Sequence, residues 1–563
     1  MSSVTGADLL VASLKRRGVD TLFLLMGGPL ESTVNGCAKQ GMRLVDTRHE
    51  QGAAMMAHGY ARASGRPGVC MVSAGPGTTN ATTGILNAFL DCSPVVVVGG
   101  SVALSLRGME AFQETDQLGV MKPLTKAAWQ IPCAERIPAY VSAAFRTAMT
   151  GRQGPIYLDF PADVLYGEVG SDVGDKALAL SMTEETGIPA PAGDPAAVRR
   201  AMDLLRHARR PIILSGSGSL WADAGEEMRQ LVERLQIPFY TTPLGRGILP
   251  EDHPLSLLSA RTVAFREADL VLILGTRSNF ISSYLLPPRL SEKARIIMVN
   301  IDPQEIGHNR PVDVGIVGDV KQVLRQMLDE TKHALPEGQT ASWVEQLRKA
   351  DAERERQRWS KVNLNQMPIH HLRVCEELRA VLPRDAVLAV DGRETLNTAR
   401  QTIPSYYPRH RLNPGLSGCM GIGVPFGIAA KVAKPDKTVV VLTGDGSFGM
   451  TAMELNTAVR HKIPLAVIIC NNGGWTADTG KWLAARNLGH TAYHVVAQGL
   501  GCEGEQVDRP EDLKAALGRA MRAAREGTKP YVVNVIVDPK IRAPVSTGGS
   551  FGQPEPRAPE TQV

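Results

Sequence analysis

The sequence predicts an α/β protein of three doubly wound parallel-sheet domains. Three observations predict it: short apolar runs of strand length, helical segments alternating with them, and two polar stretches that divide 563 residues into three blocks. The first block covers residues 1–170, with strand-like runs at 21–25, 68–73, 95–99 and 156–159. Residues 170–195, rich in Gly, Pro and Thr, read as a linker. The second block covers residues 190–330: a helix at 197–208, then strands at 211–215, 270–274 and 295–300. A charged connector, 332–361, leads to the third block, residues 365–540, with strands at 386–390, 438–443, 465–470 and 531–537. The tail, 541–563, is rich in Pro and Gly and reads as mobile, with the length of an active-site lid or of a tail without a role. The first and third blocks agree in size and class, with no residue-level repeat.

Composition narrows the function. Apolar residues are 43% and charged residues 21%, as in ordinary globular proteins. The net charge of +5 is small for this length, and no run of Lys and Arg interleaved with aromatics appears, so nucleic acid is not an expected partner. The most apolar runs are too short to span a bilayer. No basic region followed by a long apolar run opens the chain, so no signal peptide is expected. Eight cysteines are scattered without a C-x-x-C pair, which fits small buried hydrophobes in a reducing cytoplasm.

The strongest local motif is Gly444-Asp445-Gly446-Ser447, followed one helix and one strand later by Asn471-Asn472. Both ends of the motif fall at the carboxyl ends of predicted parallel strands, where open α/β sheets bind ligands. A hard cation such as Mg²⁺ takes oxygen donors and keeps phosphate oxygens in its shell. Asp445 offers a carboxylate and Asn472 an amide oxygen. Gly446 and Ser447 let backbone N–H groups approach a phosphate at a helix start, the helix being expected at 451–461. A second motif is Asp46-Thr47-Arg48-His49-Glu50-Gln51 before a small-residue helix at 52–63. In isolation Glu50 reads as a helix-start acid.

The Gly-Asp-Gly to Asn-Asn pattern resembles the signature of the thiamine diphosphate enzyme family, and the resemblance covers nearly the whole chain. It implies a pyrimidine-binding, a central and a diphosphate-binding domain, in that order. It implies Asp445, Asn472 and the Gly474 carbonyl as Mg²⁺ ligands, with Gly444, Gly446 and Ser447 beside the diphosphate. Glu50 would share its proton with the aminopyrimidine ring of the cofactor, in a pocket closed to water. Further cofactor contacts are implied at Gly28 in Gly27-Gly28-Pro29, at Pro76 and Asn80 in the Gly75–Asn80 loop, and at Arg393, Glu394 and Thr395. Gln113, in Phe112-Gln113-Glu114, would face the thiazolium. Gly418 and Met420 belong to the segment that props the cofactor in its bent shape. The chain looks most like the acetolactate synthase-like branch, in which Glu50 and the metal motif would meet across a subunit interface, in a homodimer or homotetramer.

In the central block Gly216-Ser217-Gly218 lacks the third glycine of a dinucleotide fingerprint. By resemblance, Arg277 would lie near phosphates and Asp302 on a ribose, holding ADP, the nucleotide part of coenzyme A, or FAD. A spacer domain without ligand is the alternative. After Asn472 comes Gly473-Gly474-Trp475-Thr476-Ala477-Asp478. Acetolactate synthases carry a Met-Val and Gln-Trp arrangement there, and this segment is closer to 2-hydroxyacyl-CoA lyases and oxalyl-CoA decarboxylases. Asp478 stands where some lyase-like relatives carry a proton-transferring Glu. The expected reaction is cleavage of a 2-hydroxyacyl-CoA thioester to an aldehyde or ketone and formyl-CoA, or its reverse. Alternatives are an acetolactate synthase or benzaldehyde-lyase-type carboligase acting on 2-oxo acids or acyloins, and a non-catalytic nucleotide-binding paralogue.

Overall fold

The structure, a computed structural model, describes residues 3–181, 189–331, 338–360, 362–480 and 482–542. Three parallel sheets form its frame. The first runs, edge to edge, Arg43–Asp46, Thr21–Leu24, Gly68–Val72, Val95–Ser101, Ile156–Pro161, Ala127–Gln130. The third runs Arg411–Leu412, Val387–Val390, Val439–Gly444, Ala466–Asn471, Tyr531–Ile536, Glu503–Val507. Numbered along the chain within each sheet, both have the order 2-1-3-4-6-5. The repeat that the residues do not display is present in the topology. The central sheet has the order 2-1-3-4-5, from Phe239–Thr241 through Pro211–Ser215, Leu270–Leu274 and Arg295–Asn300 to Val314–Val317.

Central strands of these sheets are buried from end to end, as Val95–Ser101 and Leu270–Leu274 are, because helices cover both faces. The strands that pattern alone misses are edge or near-edge ones. Glu503–Val507 and Arg43–Asp46 carry charges among few apolar residues.

By contacts the chain forms two compact units. One comprises residues 1–188, 365–396 and 409–540, and so holds the first and third sheets. The other comprises the described residues of 189–364 and 397–408, and holds the central sheet. In the first unit, helices Glu50–Ser64 and Gly423–Ala433 pack together: Gly59 lies so close to Phe426 and Ala429 that a Cβ there would stand 3.0 Å from each. Both helices are buried almost all round, which their Gly- and Ala-rich sequences allow.

Two readings need correction. The supposed linker begins as structure: Glu168–Gly170 pairs antiparallel with Ser3–Thr5, and Ser171–Leu180 is a helix that buries Gly174 and Leu178. Its few buried positions are diluted by polar neighbours. The charged connector contains a helix, Ala341–Ser360, that buries Trp343, Val344 and Leu347. Trp343 Nε1 donates to the Pro211 carbonyl at 3.2 Å. One apolar turn anchors an otherwise charged helix to the central domain.

The eight cysteines are free. No described helix is long and apolar enough to cross a membrane. The tail read as a lid, from residue 543 on, lies outside the described residues.

Candidate active site

In each six-stranded sheet the strand order reverses between strands 1 and 3, which opens a crevice at their carboxyl ends. The sequence-predicted residues of the first and third domains gather at the loops leaving these strands and their neighbours.

In the third domain, Gly444 stands opposite Cys470 in the ladder, so Asp445 and Asn472 leave adjacent strands at the same edge. The helix starts at Asp445 itself and runs to Thr451, and Glu454–Arg460 follows after a break. The expected single helix at 451–461 is thus two helices. The earlier start puts Gly446 and Ser447 in a first turn, where backbone N–H groups lack intrahelical partners. Gly446 lies under the Trp475 ring, and a Cβ there would come within 2.6 Å of it.

The two asparagines divide the work. Asn471 is fully buried: its Nδ2 donates to the Thr491 carbonyl and Asn534 Oδ1, and its Oδ1 accepts from Gly473 N. It holds the loop. Asn472 Nδ2 donates to the Thr476 carbonyl at 3.0 Å, and its Oδ1 accepts only a long 3.3 Å bond from Gly474 N. Gly474 bridges to Asn487 through the hydrogen bonds of its neighbours, Leu488 N to Gly473 O and Trp475 N to Arg486 O, so that ladder does not consume the Gly474 carbonyl.

Asp445 is 2% exposed, and its Oδ2 has no hydrogen-bond partner. Burial raises its pKa above the usual carboxylate value, opposed by the N–H groups of Gly446 and Gly474. A buried carboxylate oxygen left without a partner is costly unless a cation completes it. The available donors are a carboxylate, an amide oxygen and a backbone carbonyl, all hard oxygens that suit Mg²⁺. The described residues contain no group of three or more His, Cys, Asp or Glu that could hold a metal.

The loop after Val387–Val390 joins this edge. Glu394 is buried, and its Oε1 accepts from Thr476 Oγ1 at 3.2 Å. Thr395 is buried, and Arg393 is half-exposed, its Nε 4.0 Å from Glu394 Oε1. Asp391 is fully buried, and burial pushes its carboxyl up to about 6 although the N–H groups of Gly423 and Gly392 donate to it. Gly418 and Gly421 have positive φ on either side of the part-exposed Met420, and Thr451 Oγ1 donates to the Gly421 carbonyl at 2.7 Å. The Met420 loop is thereby tied to the helix that begins at Asp445.

In the first domain, Glu50 opens its helix and is 8% exposed. Its Oε2 accepts from Asn80 Nδ2 at 3.0 Å. Pro76 is the first residue of helix Pro76–Leu90, and the preceding Gly75 has φ +54°, which suits glycine. The Gln113 carbonyl, on a residue with φ +64°, sits against Gly75. Gly28 begins a short turn and accepts from Tyr166 OH at 2.6 Å. Glu50, Gly75–Asn80 and Gln113 therefore form one cluster. Among the described residues no hydrogen bond or ion pair joins Glu50 to Asp445.

Asp478 is otherwise engaged: its Oδ1 accepts from Gly480 N and its own N donates to the Pro539 carbonyl. In the central unit, Asp302 caps the turn Pro303–Glu305, and the Arg277 carbonyl accepts from Ser282 Oγ. Gly216 and Gly218 pack against Gly275 and Thr276, so these glycines serve the close approach of two strand-end loops.

Sequence reasoning missed Gln117, Glu454 and Arg486. Gln117 accepts from Gly75 N at 2.6 Å. Glu454 accepts from the N–H groups of Arg48 and His49. Arg486 donates to the Thr476 carbonyl. Gln117 and Glu454 act on loops distant in sequence, Arg486 acts within its own loop, and no local pattern marks any of them.

Comparison with known proteins agrees with this arrangement. Residues 4–120 match the family model described as thiamine pyrophosphate enzyme, N-terminal TPP binding domain. Residues 198–327 match the central domain of the same enzymes, and residues 392–535 match their C-terminal TPP binding domain. The chain is 36% identical over 554 residues to a "Probable acetolactate synthase" of Mycobacterium bovis, covering 95% of this chain and 96% of that protein. It is 30% identical over 557 residues to "2-hydroxyacyl-CoA lyase 1" of Homo sapiens, covering 95% of each, and 33% identical over 562 residues to "2-hydroxyacyl-CoA lyase" of Arabidopsis thaliana, covering 95% and 96%. With all three domains matched in order and similarity running nearly end to end, the chain belongs to the thiamine pyrophosphate enzymes, whose cofactor is thiamine diphosphate.

Proposed function

We propose that the protein is a thiamine diphosphate-dependent C–C lyase or carboligase that cleaves 2-hydroxyacyl-CoA thioesters to an aldehyde or ketone and formyl-CoA, or condenses these in reverse. The observation that carries the substrate class is the segment after Asn472. It folds as a Gly-Gly-Trp turn with Trp475 against Gly446, where the acetolactate synthase pattern would carry Met-Val and Gln-Trp. When bound, thiamine diphosphate supplies a nucleophilic carbon and an electron sink for the bond next to a carbonyl. Asp445 Oδ2, Asn472 Oδ1 and the Gly474 carbonyl would hold Mg²⁺, and the first-turn N–H groups at Gly446 and Ser447 would serve the diphosphate. Glu50 would exchange a proton with the aminopyrimidine nitrogen, and Asn80 fixes the direction of its carboxylate. Gln113 would lie toward the reacting carbon, and Met420 would support the cofactor. By the family resemblance, Glu50 and Asp445 are read as meeting across two copies, in a homodimer or homotetramer. Asp478 is assigned no step, since its carboxylate caps its own turn. Arg277 and Asp302 are assigned to the nucleotide part of coenzyme A, with ADP or FAD as the other candidates.

A second reading, an acetolactate synthase, is favoured by the 36% identity to the mycobacterial protein. One experiment separates them. The purified protein with Mg²⁺ and thiamine diphosphate is given pyruvate or, separately, 2-hydroxyacyl-CoA thioesters. Formyl-CoA with a carbonyl product is expected. Acetolactate without thioester cleavage overturns the first reading in favour of the second.

A further inference from the structure

The turn that carries Glu50 is held from a different domain. Helix Glu50–Ser64 has His49 as its N-cap, whose Nδ1 accepts from Gln51 N at 3.1 Å. The N–H groups just before the helix need other acceptors. Arg48 N donates to both carboxylate oxygens of Glu454, at 3.1 and 3.2 Å, and His49 N donates to Glu454 Oε1 at 3.2 Å. Glu454 is 2% exposed, and Thr457 Oγ1 donates to its Oε2 at 2.7 Å. A Cβ on Gly52 would overlap Glu454 Oε1, so the carboxylate occupies space that only a glycine leaves. The same third-domain segment also reaches the strand end before the turn, where Arg460 Nη2 donates to the Asp46 carbonyl at 2.7 Å and His461 Nε2 contacts Asp46 Oδ1 at 2.6 Å.

A buried, ionisable side chain from the third domain thus ends on the two residues that precede Glu50. A carboxylate acceptor makes such bonds directional and stronger than neutral ones. The helix that carries Glu454 follows directly on the one that begins at Asp445. One chain segment therefore bears the metal ligand at its start and the clamp on the Glu50 turn at its end.

We propose that Glu454 is a positioning residue for Glu50: its carboxylate fixes the Arg48–His49 backbone and thereby the place from which Glu50 reaches the cofactor ring. This rests on the reading of Glu50 as the proton-holding group. Glu454 does not touch the cofactor. It acts on the step that Glu50 serves, while the diphosphate of that cofactor would be held by Asp445 of a second copy.

The test uses the full-length protein with Mg²⁺ and thiamine diphosphate. Glu454→Gln removes the charge and sets an amide NH2 at the Oε2 position, against Arg48 N and Thr457 Oγ1, and Gly52→Ala displaces the carboxylate without removing it. Each is expected to lower kcat by roughly ten- to a hundredfold, as a misplacement near 1 Å does, while the cofactor Kd stays within about threefold. Without cofactor, amide hydrogen exchange at Arg48 and His49 is expected to quicken in Glu454→Gln. In a Glu50→Asp background, whose carboxylate is already withdrawn, Glu454→Gln should cost at most about threefold more. Unchanged kcat in both single variants, a Kd that rises in step with the loss of kcat, or losses that multiply fully in the double variant would each overturn the positioning role. Glu50→Gln is measured alongside. Its loss of turnover upholds the proton-holding reading independently of Glu454, and unchanged turnover overturns that reading and this inference with it.

Discussion

Asn80 Nδ2 donates to Glu50 Oε2 at 3.0 Å, and the other Glu50 oxygen lies 3.4 Å from where a Cβ on Gly77 would stand. The carboxylate is held at one oxygen and left room by glycine at the other. Glu50→Gln preserves the shape and removes the proton exchange. Turnover is expected to fall at least about a hundredfold, in line with general acid–base contributions, with cofactor affinity nearly unchanged. Steady-state kinetics beside a calorimetric titration of thiamine diphosphate checks both halves.

Asp445 Oδ2 is a buried oxygen without a partner, so the ligand-free protein bears a cost that Asp445→Asn reduces. The ligand-free variant is expected to melt at the temperature of the native protein or above it. Ligand should separate the two. At a hundredfold excess over Kd the native protein gains about 2.7 kcal/mol from binding, and the variant gains almost nothing. Thermal melts with and without Mg²⁺ and thiamine diphosphate decide it. An equal ligand-induced shift in both proteins removes Asp445 from the metal site.

The edge that brings Asp445 beside Asn472 was legible because its parts are close in sequence: two neighbouring parallel strands, with Gly444 paired to Cys470, put the two residues together as soon as the strands are recognised. The Glu50 cluster was legible in pieces, and the structure supplies the bond to Asn80. Glu454 was not legible. A Glu that opens a short helix looks like any first-turn acid, and its partners are backbone N–H groups of another domain. The shared strand order of the first and third sheets was hidden for a related reason. Topology is set by which strands pair, and Arg43–Asp46 and Arg411–Leu412 are too short and polar to announce themselves.

Asp391 gives a pH signature. Burial raises its carboxyl from 3.8 to about 6, so the folded state binds this proton more tightly than the unfolded chain does. The stability it contributes is complete below about pH 4 and is lost as pH rises through about 6, a change on the order of 3 kcal/mol. Asp391→Asn removes the titration. Its own stability shifts, because an amide now meets one of the N–H groups from Gly392 and Gly423. The expected outcome is therefore a difference in slope. In urea unfolding of the ligand-free proteins between pH 4 and 7, the native protein loses more stability than the variant. Parallel curves would show that Asp391 does not titrate in this window.

Gln117 is 3% exposed and holds the loop on which the Glu50 cluster is built. Its Oε1 accepts from Gly75 N at 2.6 Å, and its Nε2 reaches the Gly100 carbonyl, Tyr157 OH and Asp159 Oδ1 at 3.0, 2.7 and 2.9 Å. Gln117→Leu keeps the bulk and strands the buried Gly75 N–H, at a cost of about 1–3 kcal/mol for each polar group left unpaired. Gln117→Glu keeps the acceptor for Gly75 but removes the donors and brings a carboxylate to Asp159. Both variants are expected to lower Tm. They should differ in the active-site loop: Glu retains the bond that fixes Gly75 and, through helix Pro76–Leu90, the place of Asn80, while Leu loses it. Amide exchange at Gly75 should therefore quicken in Gln117→Leu and stay slow in Gln117→Glu, and cofactor turnover at a temperature where both remain folded should follow the same order. Equal exchange at Gly75 in the two variants would mean that the loop is held by the Gln113 carbonyl contact and its own helix, without Gln117.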